Sequence, residues 1–85
     1  MTEQTPTPPS AAEAVALARK QVVEISESRT LSAVQYNYGH ALGWIAAMYR
    51  AGVLDWPTHE ALYQEASAAL EQWRQPPQGE AAAFA

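Results

Sequence analysis

Two histidines, nine carboxylates, five basic side chains and no cysteine are this chain's whole repertoire for proton transfer, metal binding and covalent chemistry. Without a thiol, a covalent mechanism needs Ser, Thr, Lys, Asp, Glu or Tyr beside a base. His40 stands one helical turn from Tyr36 and Trp44. The expectation there is a partly buried ring satisfied by a hydroxyl or carbonyl, with a pH-sensitive or partner-contacting role as the alternative. His59 lies four residues after Asp55 and beside Glu60. Nitrogen and oxygen ligands are therefore close in sequence, but Asp55 suits a helix cap, and neither an HExxH pair nor a second ExxH is present. Glu3, Glu13, Glu24, Glu27, Glu65, Glu71 and Glu80 sit outside apolar runs, where nothing would desolvate them for acid or base work. Gly39 and Gly43 belong to a helical pattern and no Lys-Ser/Thr follows them, so they make no phosphate loop. The sequence thus predicts a protein with no catalytic residues, no cofactor and no metal.

Charge narrows the remaining classes. The net charge is −4, and Arg19, Lys20, Arg29, Arg50 and Arg74 do not form a stripe. That balance argues against broad binding to a phosphate backbone. A small dimeric nucleic-acid-binding regulator, with Arg29 and Arg50 brought together, is the alternative reading. A structural subunit of a hetero-complex is a further one. No cationic segment precedes an apolar run near the first residue, so no signal peptide is expected. The expected setting is cytoplasmic and away from membranes. A chain of 85 residues without disulfides buries a small core and gains from association.

The elements that must position these groups are all helical. Residues 1–9 hold three prolines and read as a disordered leader. Ser10 with Glu13 forms a capping-box pattern that opens a helix over about 11–27. Its inward face is expected to be Val15, Ala18, Val22 and Ile25, opposite Glu13, Lys20, Glu24 and Glu27. Hydroxyl residues from Ser26 to Ser32 mark a boundary, with Thr30 or Ser32 as the next cap. A continuous bent helix is the alternative there. The second helix should run over about 31–51 and end at Gly52 as a left-handed terminator. Asp55 then caps a third helix over about 56–74, with Pro57 in its first turn. Leu62, Ala66, Ala69 or Leu70, and Trp73 should face inward. Residues 76–85 read as a flexible tail in which Phe84 is an isolated ring. The fold class is therefore all-α: three short helices in a bent antiparallel bundle, completed by homodimerisation, with one domain over 10–75.

The middle helix carries the functional expectation. From Thr30 to Tyr49 the chain has no Asp, Glu, Lys or Arg. Leu31, Val34, Tyr38, Leu42, Ile45 and Tyr49 form its main apolar face, widened by Ala41, Trp44 and Met48. Gly39, Gly43 and Ala47 recur every fourth residue, and each mid-helix glycine costs up to about 1 kcal/mol relative to alanine. Either a glycine accommodates Trp44 or Trp56 within the monomer, or the line belongs to a helix crossing between two copies. The expected self-association residues are Tyr38, Gly39, Leu42, Gly43 and Ala47. The expected contacts to an unidentified protein partner are Arg29, Tyr36, Asn37, His40 and Arg50. The overall reading is a helical adaptor, or a modulator of a larger protein machine.

Overall fold

The computed structural model describes residues 7–76, and within them three α-helices pack against one another with no strand. They are α1 (Ala11–Ser26), α2 (Leu31–Arg50) and α3 (Trp56–Gln72). The leader's first six residues and the tail from 77 onward, Phe84 included, lie outside the described residues.

Each helix begins where its side-chain chemistry dictates. Ser10 Oγ accepts from the Glu13 amide at 3.1 Å while Glu13 Oε1 accepts from the Ser10 amide at 2.8 Å, closing the capping box of α1. That pair of hydrogen bonds, led by the Ser10 backbone donor, holds the Glu13 carboxyl below its ordinary range. Thr30, not Ser32, caps α2, and its Oγ1 accepts from the Ala33 amide at 3.0 Å. Asp55 caps α3 through the Thr58 amide at 2.9 Å.

The α2 terminus is a Schellman motif. Gly52 adopts φ 78°, its amide donates to Tyr49, and the Val53 amide donates back to Met48. Val53 and Met48 then pack on the same core cluster, the apolar contact that accompanies this turn. The third helix ends at Gln72, two residues before the expected limit, because Trp73 is already extended at ψ 136°. Arg74 donates to the freed carbonyls of Glu71 and Trp73.

The core runs in two clusters along the bundle. Ala14, Ala18, Ile45, Leu54 and Leu62 fill the end near the α2–α3 turn. Ile25, Val34, Ala41, Ala66 and Ala69 fill the end near the α1–α2 turn. The inward face of α1 is therefore Ala14, Ala18, Gln21 and Ile25, rotated from the expected one. Val15 and Val22 are only half-buried, because the small alanines let α1 approach its neighbours along the adjacent line. Two indoles tie the ends together. Trp44 Nε1 donates to the Ala14 carbonyl at 3.1 Å, and Trp73 Nε1 donates to the Ser28 carbonyl at 2.7 Å.

Candidate interaction surfaces

The expected partner residues separate into distinct surroundings. Tyr36 is 71% exposed, and its ring stacks on His40 with centroids 6.0 Å apart. His40 is exposed, contrary to the expectation of a partly buried, satisfied ring. The reason is register: it lies one residue before Ala41, whose position on α2 points into the core. Arg29 and Arg50 are exposed at the two ends of α2, and neither meets a carboxylate among the described residues.

Asn37 has an internal task. Its Nδ2 donates to Ser28 Oγ at 2.9 Å and reaches the Glu24 carbonyl at 3.4 Å. Ser28, 6% exposed, donates its hydroxyl to the same Glu24 carbonyl at 2.9 Å. Those bonds staple the α1–α2 turn, so Asn37 acts in the fold.

The expected self-association residues line α2. Tyr38 and Leu42 are half-buried against the cluster near the α1–α2 turn, while Gly39, Gly43 and Ala47 are exposed. A methyl group built on Gly39 or Gly43 would meet nothing within 4 Å. Gly39 makes room for neither Trp44 nor Trp56, and Gly43 makes none for Trp56, so no approach of another helix among the described residues explains them. Leu31 and Tyr49, expected in the core face, are 57% and 38% exposed. The bundle turns Val34, Ala41 and Ile45 inward, which carries those two ends of the row out to the edge facing α3.

His59 is buried, which sequence reasoning missed. Its ring stacks on Trp56 at 5.0 Å and 22°, meets Tyr63 edge-on at 4.6 Å, and lies 4.8 Å from Tyr49. Nδ1 has no hydrogen-bond partner among the described residues and stands 3.6 Å from Glu60 Oε1. The available signal was spacing: His59, Leu62, Ala66 and Ala69 follow the same 3-4-3 rhythm. With Asp55 engaged at its cap, this cluster offers packing. Among the described residues no three His, Cys, Asp or Glu side chains come together in a way that could hold a metal ion.

A groove of about 730 Å³ opens between the first half of α1 and the start of α3. Ala12, Val15, Ala16, Val53 and Leu54 give it apolar walls, with Arg19 and Thr58 at the rim. Arg19 is engaged, donating from Nε and Nη2 to Glu65 at 3.2 and 3.1 Å, which holds its guanidinium pKa further above the ordinary value. Asp55 is spent on Thr58, whose side-chain and backbone donors depress its carboxyl pKa. The groove therefore brings apolar surface, an ion-paired Arg19 and a capping Asp55 carboxylate.

No protein-family model matches the chain, and no curated protein or solved structure matches it. The functional reading therefore rests on these surfaces. No helix among the described residues is long and apolar enough to cross a membrane.

Proposed function

We propose that this chain is a non-catalytic helical interaction module, an adaptor or a modulator of a larger protein machine, that works as a homodimer. One observation carries the reading. The outward side of α2 presents Ser32, Gln35, Tyr36, Gly39, His40 and Gly43 to solvent with no charge until Arg50. An isolated surface helix of a soluble monomer ordinarily covers such a side with charged residues. Exposed mid-helix glycines add a conformational cost, and no other helix among the described residues comes within 4 Å of where a methyl group would stand. Large amphipathic rings such as Tyr36 are the kind of group that anchors interfaces. Arg29 and Arg50 flank the strip and offer planar donors to a partner's carboxylates.

The test is capture from the native cell with the full chain as bait, each captured protein identified by mass. Tyr36→Ala and His40→Ala change exposed positions and should abolish capture while leaving the helical signal intact. Capture unchanged in both variants would overturn the assignment of this strip. Retention on duplex DNA at about 50 mM salt, falling steeply as salt rises, would replace the protein-binding reading with a nucleic-acid one.

A further inference from the structure

The edge between α2 and α3 carries two parallel rows of large apolar side chains, none of them fully buried. On α2 the row is Leu31, Tyr38, Leu42 and Tyr49, at spacings of seven, four and seven. On α3 it is Trp56, Tyr63 and Leu70, each seven residues apart. The rows adjoin: Tyr49 meets Trp56 edge-on at 5.5 Å, and Tyr38, Leu42 and Leu70 pack against one cluster. Leu31 and Trp56 are more than half exposed. Spacings of seven and four are those of a helix seam that receives another helix.

Building on the reading of the chain as a self-associating interaction module, we propose that this α2–α3 face is the seam of a symmetric dimer. In it α2 of each copy lies antiparallel to α3 of the other. Charge selects that arrangement. Arg50 ends α2 and meets no carboxylate among the described residues, and Glu60, in the second turn of α3, has a side chain 44% exposed. Both belong to the bundle end that holds the α2–α3 turn. By helical register Arg50 stands on the outward side of the α2 row, in line with Ser32 and Gly43, and Glu60 stands on the outward side of the α3 row.

A two-fold axis parallel to the helices sets α2 against the partner's α3 at equal height. Arg50 then faces the partner's Glu60 twice, once by each copy, and Leu31 faces the partner's Leu70. The other two-fold packing, α2 against α2 in opposite directions, sends Arg50 toward the partner's Arg29 and is repelled. The face is about 27 Å long and roughly 20 Å wide across two helices. Its projected area of about 500 Å² per copy is below the common interface size, which suits micromolar association.

Sedimentation equilibrium of the full chain, from about 5 to 200 μM, tests the proposal, with circular dichroism to confirm that each variant folds. Wild type should approach twice the 9.3 kDa chain mass within that range. Arg50→Glu and Glu60→Arg should each weaken the dimer about tenfold, because each reversal places like charges together at two contacts. The double reversal should restore it. Leu31→Glu, at an exposed position, should also dissociate it. A wild-type chain that stays monomeric, or a dimer indifferent to both reversals, overturns the seam. A folded monomer that still captures a foreign protein through Tyr36 would overturn the dimer while leaving the adaptor reading intact, so the two failures are separable.

Discussion

Gln21 provides a sharp test of how this bundle is put together. It sits on α1 between Ala18 of the cluster near the α2–α3 turn and Ile25 of the cluster near the α1–α2 turn, 9% exposed, with Oε1 buried and unpaired among the described residues. A buried acceptor left without a donor costs about 1–3 kcal/mol. Leucine has a similar reach and would join the two apolar clusters into one. Burying its side chain contributes up to about 1.5–3 kcal/mol where the surroundings accept the branch. Part of that gain is lost to misfit in a packed core, where shape changes typically cost about 1–3 kcal/mol. Gln21→Leu should therefore stabilise the fold by about 1–2 kcal/mol, the orphan-acceptor term being the part that survives imperfect packing. In a domain this small, that raises Tm by roughly 5–15 °C.

Urea unfolding followed by helical signal, at a fixed low concentration, measures the change as a shift in midpoint at constant slope. Gln21→Met serves as control, since its flexible side chain removes the unpaired oxygen with less demand on shape. If both substitutions lower stability, Oε1 is not an orphan in solution, and the argument that the core is divided there by an unsatisfied amide is refuted.

Other consequences follow from the caps, turns and glycines. Ser28→Ala and Asn37→Ala should each destabilise by about 1–2 kcal/mol, and a double-mutant cycle should give a coupling of about 0.5–1 kcal/mol, since the two side chains share one hydrogen bond. Gly39→Ala and Gly43→Ala should each stabilise the monomer by about 0.5–1 kcal/mol, because open space receives the methyl group and alanine favours the helix. Gly52→Ala should do the reverse, losing about 1–2 kcal/mol to the left-handed backbone at φ 78°; urea midpoints at matched concentration check all three. Glu13 and Asp55 have folded pKa values depressed below 4.5 and 3.8. Their contribution is thus complete above those values and is lost as pH falls through the lower folded ones. An acid titration of stability should show a limb beginning near pH 4.5 that flattens in Glu13→Gln and Asp55→Asn.

Helix positions were legible because local chemistry alone sets them. Ser10, Thr30, Asp55 and Gly52 each satisfy a helix terminus with their own atoms or backbone freedom, whatever the rest of the bundle does. Which side of each helix turns inward was less legible. On α1 both the Val15–Val22 line and the Ala14–Gln21 line are apolar enough to serve, and close approach through alanine decided the matter. On α2 the absence of charge makes every direction look equally inward, which is why the pattern assigns Leu31 and Tyr49 to the core face and predicts a partly buried His40. His59 escaped notice because a histidine beside a glutamate reads as polar, while three neighbouring rings bury it. Asn37 read as a surface group because its partner, Ser28, is nine residues away across a turn.

The distribution of side-chain size links the fold to the surfaces. Among the described residues half of the buried apolar core is alanine: Ala14, Ala18, Ala41, Ala66 and Ala69. Of the described residues only Ile25, Ile45, Leu62 and Val34 are both large and fully covered. The bulkier groups, including Leu31, Tyr36, Tyr49 and Trp56, stand at the rim. An alanine core allows helices to approach closely, but each alanine buries little area, and buried apolar area is the main favourable term in folding. Moving tyrosines and tryptophans inward would enlarge that term, yet each indole and phenol would then need an internal hydrogen-bond partner. Trp44 and Trp73 have such partners in the Ala14 and Ser28 carbonyls, and both are drawn in. Trp56 and Tyr36 have none among the described residues and remain outside. Rim rings therefore follow from the same rule that buries the other two: an aromatic with a polar handle goes where that handle can be satisfied, which at the rim means water or a second protein surface.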